Sequence, residues 1–113
     1  MNRDIDLGIV YQGTTADFEF FLFQDGRPMP TNSEDEIRIG FLLKDTSSPL
    51  ITHRLSDGNV TRSGGLAQTS LTEAETEGLV AGKYLAVVVF TSGASGKEAE
   101  IFRSSFTVME SMA

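Results

Sequence analysis

His53 is the only histidine in this chain of 113 residues. To act as a general base it would need an orienting carboxylate and a nucleophile beside it. Serines are plentiful, but none sits in a G-x-S-x-G elbow. Thr52 and Arg54 flank His53 within a short predicted strand, Leu50 to Leu55, which makes it an exposed or edge-packed side chain. Glu34, Asp35 and Glu36, with Asp25 nearby, offer oxygen ligands for calcium. They lack the alternating spacing and the glycine of an EF-hand loop, and read as a solvated acidic loop. Gly93-Ala94-Ser95-Gly96-Lys97 has the glycines and lysine of a phosphate-binding loop. The spacing is too short, Glu98 stands where a hydroxyl would meet magnesium, and no helix follows, so a hairpin loop is expected. Cysteine is absent, which excludes disulfides, cysteine-ligated zinc and thiol nucleophiles within the chain. No catalytic, metal or cofactor-binding residue is therefore expected, and the chain does not read as an enzyme.

The elements that would carry these residues are mostly strands. Leu7 to Tyr11 reads as a first strand at a sheet edge, closed by Gln12-Gly13. In Ala16 to Gln24, Phe18, Phe20 and Leu22 share one face and should enter the core. Asp17, Glu19, Phe21 and Phe23 share the other. Asp25-Gly26 is a turn signal, and Pro28 and Pro30 are expected to prevent immediate strand pairing. Ile37, Ile39, Phe41 and Leu43 alternate inward along the next strand, with Arg38, Leu42 and Lys44 outward. Thr61 to Gly65 is polar and glycine-rich and is expected to be irregular, with one further strand from Leu66 to Leu71.

Thr72 followed three residues later by Glu75 matches a capping box and predicts a short helix from about Glu73 to Leu79. The carboxylates of Glu73, Glu75 and Glu77 suit the helix dipole without any ligand. Gly82 makes the turn and Tyr84 opens a strand that is apolar on both faces from Leu85 to Phe90, as a central strand should be. The last strand runs from about Ala99 to Val108, with Phe102, Phe106 and Val108 inward and Arg103 and Ser105 outward, before a frayed tail.

About seven strands with turn signals between them and one brief helix predict an antiparallel β-sandwich in a single domain, residues 1–113, with a core from roughly Ile5 to Val108. The Leu79-Val80-Ala81-Gly82-Lys83-Tyr84 run resembles the tyrosine corner of immunoglobulin-like sandwiches, in which the phenol bonds an upstream backbone group. The four residues Thr72, Glu75, Gly82 and Tyr84 are thus assigned to a structural corner.

The net charge is −7 and the pI about 4.5. An acidic chain repels phosphate backbones and anionic bilayers, so neither nucleic acid nor a membrane is expected as partner. The polar start, Met1 to Asp6, has no apolar signal-peptide core, and a cytoplasmic origin is expected. The informative residues are apolar ones on outward faces: Phe21, Phe23 and Leu42, with Leu85, Val87 and Val89. A monomeric sandwich keeps such faces largely polar. Either a loop or the short helix covers them, or they form a protein–protein interface. Phe21, Phe23, Leu42, Val87 and Val89 are the candidate interface.

The order of several pieces is similar to a known family. Gly13-Thr14 precedes Phe18-Glu19-Phe20-Phe21-Leu22 and Asp25-Gly26-Arg27-Pro28. Ile37 to Lys44 follows, then Leu71-Thr72-Glu73-Ala74-Glu75-Thr76 with Leu79, Gly82 and Tyr84, and Thr107-Val108. This resembles the immunoglobulin-like N-terminal domain of phage baseplate upper proteins and related tailed-phage structural modules, over nearly the whole chain. Those proteins usually continue with further segments, so receptor attachment is not implied here. The resemblance implies a non-enzymatic phage or prophage structural protein of the tail or baseplate type. It would assemble with itself as a homo-oligomer and with other phage structural proteins, in the virion or in the host cytoplasm before assembly. The alternative is a bacterial accessory module that recognises a protein or carbohydrate through end loops such as Thr31 to Glu36 and Ser56 to Gly65. The absence of a Trp platform speaks against sugar.

Overall fold

A computed structural model describes residues 5–24, 27–28, 35–63, 65–93 and 95–110. These residues form ten strands and one short helix. In chain order they are β1 (Ile5–Tyr11), β2 (Ala16–Phe21), β3 (Phe23–Gln24), β4 (Arg27–Pro28), β5 (Glu36–Leu43), β6 (Ile51–Arg54), β7 (Val60–Ser63), β8 (Leu66–Leu71), β9 (Gly82–Thr91) and β10 (Glu98–Met109). The helix α1 (Glu73–Glu77) lies between β8 and β9, and a single 3-10 turn, Leu55–Asp57, follows β6.

The strands make a five-stranded sheet in the order β1-β10-β9-β5-β6, a three-stranded sheet in the order β2-β8-β7, and the small β3-β4 ribbon. All pairs are antiparallel except β1 with β10, which is parallel. In immunoglobulin lettering β2, β8 and β7 are B, E and D, and β10, β9, β5 and β6 are G, F, C and C′, the variable-type arrangement. The chain is an immunoglobulin-like β-sandwich.

Alternation builds the core. Phe18, Phe20 and Leu22 point inward from β2 and its end, Ile37, Ile39 and Phe41 from β5, Tyr84, Ala86 and Val88 from β9, and Phe106 and Val108 from β10, all buried. Antibody domains place the second cysteine of their inter-sheet disulfide two residues after the corner tyrosine. Here that position is Ala86, fully buried. Aromatic packing takes up the space between the sheets. Phe18 of β2 lies 5.3 Å from both Phe41 and Phe106, ring centre to ring centre, and Tyr84 stacks on Phe106 at 5.5 Å. Each such pair adds about 0.5–1.5 kcal/mol beyond area burial.

Several elements differ from the sequence reading. Residues 61–63, in the Thr61 to Gly65 stretch expected to be irregular, belong to β7, because Val60 before them is an inward, fully buried anchor and the β8 backbone offers a ladder. Pro28 does not prevent pairing: Arg27–Pro28 pairs with Phe23–Gln24 in a two-residue ribbon, where few N–H donors are needed. β1 joins the sheet in parallel, with a register shift between Asp6 and Ile9 where Gly8 has φ of 99°. Met109, expected in a frayed tail, pairs with Tyr11. The Asp25-Gly26 turn, Pro30, Glu34 and the rest of the 29–34 loop, and the side chains of Phe23 and Phe102, lie outside the described residues.

Candidate functional site

The crossover between sheets is held by local bonds. Thr72 Oγ1 accepts from Glu75 N at 3.2 Å, and Glu75 Oε1 accepts from Thr72 N at 2.9 Å, a reciprocal capping box. Thr76 is fully buried and its hydroxyl donates to the Thr14 carbonyl at 2.7 Å, fastening α1 to the β1–β2 connection. Tyr84, also fully buried, donates its phenol hydrogen to the Val80 carbonyl at 2.7 Å. Burial raises the Tyr84 pKa above 10.0, because the phenolate would lose hydration.

His53 is not an exposed or edge-packed side chain. It sits on an edge strand, but its ring turns inward and is only 4% exposed. Phe41 meets it edge to face at 5.6 Å. Nδ1 lies 2.6 Å from Thr69 Oγ1 and Nε2 lies 2.8 Å from Glu75 Oε2. The Thr69 hydroxyl donates its own hydrogen to the Asn59 carbonyl at 2.8 Å. The Thr69 oxygen is then an acceptor for Nδ1–H, and the carboxylate is an acceptor for Nε2–H. Both ring nitrogens thus have an acceptor in place. Burial pushes the Glu75 pKa up, but the hydrogen bonds from His53 and Thr72, together with the His53 charge, outweigh it and leave the carboxyl below its ordinary value.

A carboxylate, an imidazole and a hydroxyl therefore stand in a row, which the sequence did not foreshadow. Thr69 and Glu75 are 16 and 22 residues from His53, and neither belongs to a motif with it. As a hydrolytic set the arrangement is poorly suited, since the hydroxyl is buried in mid-strand and its hydrogen is engaged by a backbone carbonyl. The row forms the floor of a pocket of about 540 Å³ whose lining includes Asp17, Glu19, Asn59, Thr61 and Gln68. Among the described residues no group of three or more His, Cys, Asp or Glu side chains is placed to hold a metal ion. No helix among them is long and apolar enough to cross a membrane.

The candidate interface residues divide between two faces. Leu42 pairs with Leu85 across β5 and β9, and Val87 and Val89 follow along β9 on the same outward face. Leu42, Leu85 and Val87 form a second apolar cluster, separate from the core, with Val89 packed against it. These residues do not stand open to solvent as a bare apolar face would, because Leu42 and Val87 are 7% and 9% exposed. The β5–β6 loop leans over this face, and a Cβ on Gly40 would meet Pro49 Cγ at 3.2 Å.

What remains is a groove of about 360 Å³ floored by Leu42, Val87 and Val89, with Pro49 on one side and Arg103 on the other. Arg103 makes a two-point ion pair with Glu100, at 2.7 and 3.2 Å, and Arg38 lies 3.6 Å from Glu98. Farther along the same sheet, Ile9, Tyr11 and Met109 are exposed in the outward rows of β1 and β10. They were not singled out from sequence, because outward positions on an edge strand are recognised only once the pairing is known. Phe21 lies on the opposite sheet, 60% exposed, in the outward row of β2 with Asp17 and Glu19.

No protein-family model matches the chain, and no curated protein matches it. Among solved structures it is similar to the NK cell receptor NKp44, a triggering partner in natural cytotoxicity. Identity is 16% and the TM-score 0.45, over 97% of this chain and 100% of that one. The immunoglobulin-like assignment stands on the strand order and the tyrosine corner.

Proposed function

We propose that this chain is a non-enzymatic structural module, of the phage or prophage tail or baseplate kind, that acts by protein–protein assembly with itself and with other structural proteins. Its place is the virion, or the host cytoplasm before assembly. The observation that carries the reading is the second apolar cluster, Leu42, Leu85 and Val87, on the outward face of the five-stranded sheet. The β5–β6 loop covers much of this cluster, but the groove left beside it keeps an apolar floor and a charged rim, the anatomy of an interface. Light scattering over a wide concentration range tests this. A multimeric mass is expected, and a strict monomer at every concentration would refute self-assembly.

A second reading is supported by the pocket beside Asn59 and Thr61, which the 56–65 segment helps to line. Its hydroxyls, amides and carboxylates suit a polar ligand, as an accessory module for protein or carbohydrate would require. Saturable binding on a glycan array that is lost in Asp17→Ala would favour this second reading over assembly.

A further inference from the structure

We infer that the Glu75 carboxylate is an acid-operated latch: when it takes up a proton, the first turn of the crossover helix α1 comes away from the sandwich while the two sheets stay packed. This device is internal to the chain and goes beyond the assembly reading.

α1 has five residues, Glu73–Glu77, far fewer than the roughly 12–15 that an isolated helix needs to persist in water. It persists because other elements hold it. Its far end is held well. Thr76 is fully buried with its hydroxyl on the Thr14 carbonyl, and the buried Leu79 just beyond accepts from Gln12 Nε2 at 2.7 Å through its own carbonyl. The near end is different. Thr72, Glu73 and Ala74 are exposed, and Glu75 is half-buried. Among the described residues, the bond that ties this turn to another strand is the one from His53 to the Glu75 carboxylate.

That one carboxylate makes both bonds that define the turn. Oε1 accepts from Thr72 N at 2.9 Å and closes the cap. Oε2 accepts from His53 Nε2 at 2.8 Å and fastens the cap to β6. Both are bonds to a charged acceptor, the stronger class. Protonation takes the charge from both at once and turns one oxygen into a donor that faces another donor. Cap and tether are thus lost in a single step.

The surroundings set where this happens. The pocket that Glu75 lines brings His53 from β6, Asp17 and Glu19 from β2, Gln68, Thr69 and Ser70 from β8, and Asn59 and Thr61 at the start of β7. Glu73 and Glu77 are its charged neighbours on α1 itself. Among the described lining residues there is no lysine or arginine, so His53 is the group placed to offset the Glu75 charge. Burial raises the Glu75 pKa, and the bonds from His53 and Thr72 lower it by more. The latch is therefore shut at neutral pH and opens as pH falls through a value below 4.5. Opening uncovers the His53 ring at the floor of the pocket. The sheets stay together through Phe18, Phe41, Tyr84 and Phe106, none of which belongs to this turn.

Amide exchange followed by NMR from pH 7 to pH 3, corrected for its intrinsic pH dependence, tests the latch. The Thr72 and Glu75 amides are expected to lose protection by roughly tenfold or more, with a midpoint below 4.5, while those of β5 and β9 keep theirs. Glu75→Gln, which keeps the shape and lacks the charge, should show the fast exchange already at pH 7 and no transition below it. Glu36→Gln removes the other carboxylate whose pKa is lowered and should leave the α1 transition in place. Protection lost from β9 together with α1 would make the acid response global and overturn the latch. An α1 transition that is absent from wild type, that survives Glu75→Gln, or that Glu36→Gln removes would overturn it as well.

Discussion

Nε2 of His53 and Oε2 of Glu75 lie 2.8 Å apart, and through this contact β6 of the five-stranded sheet is tied to the helix that crosses between sheets. Thr69 on the other ring nitrogen adds β8 of the three-stranded sheet. One imidazole thus holds three elements.

Removing the carboxylate from this network should be costly. Glu75→Gln would lose the charge on the bond to His53 and weaken the cap on Thr72. A loss of about 1.5–3 kcal/mol is expected for a bond to a charged group, measured by urea unfolding at neutral pH. The pH dependence has a definite sign. The folded-state pKa of Glu75 is lowered from 4.5, so its contribution is fully present above that value and disappears as pH falls through the folded value. Glu36, whose pKa is also lowered in spite of desolvation by its bonds to Ser56 and Ile37, adds to the same acid-side loss. Glu75→Gln should therefore flatten the decline in stability below pH 4.5 relative to wild type.

Tyr84→Phe isolates the corner bond. The ring stays stacked on Phe106, while the Val80 carbonyl loses its donor. A cost of about 1 kcal/mol is expected. Tyr84 also predicts an alkaline limit. Its folded pKa is raised above 10.0, so the unfolded chain ionises first and stability falls as pH rises past that value. Thermal melts from pH 8 to 11 should show a steeper alkaline decline for wild type than for Tyr84→Phe.

Ser104 offers the opposite outcome. It is fully buried on the inward face of β10, and its hydroxyl has no hydrogen-bond partner among the described residues. An unmet buried hydroxyl costs about 1–3 kcal/mol. Ser104→Ala should therefore stabilise the protein, raising the urea midpoint without changing the slope.

Phe106 makes ring contacts with Phe18, Phe41 and Tyr84. Phe106→Ala should cost about 3–5 kcal/mol through lost burial and the cavity left behind. Against a typical total of about 5–15 kcal/mol, this would bring the melting transition close to the working temperature. Differential scanning calorimetry would show it.

What the sequence made legible was what its own neighbours decide. The Thr72–Glu75 cap spans three residues and the Tyr84–Val80 bond spans four, and both formed as their spacing indicated. The inward phenyl groups of β2 and the two-sided apolar β9 followed from alternation. His53 was misread because its partners arrive from other strands, and nothing in Thr52-His53-Arg54 signals an inward polar ring. The outward Leu42 and Val87 were assigned to the correct face. Their cover depended on Pro49 folding back over Gly40, a tertiary contact that alternation does not encode. Alternation also placed Phe21 on an outward face, and the topology sets that face on the other sheet.

The parallel seam of β1 on β10 has a kinetic consequence. It joins residues about a hundred positions apart, and a closure of that length comes late in folding. Until β1 docks, residues 104–109 of β10 present an unpaired edge. Any free strand of the same sequence could occupy it. Refolding at high concentration is then a race between a chain's own first strand and that of its neighbour, and dilution decides the winner.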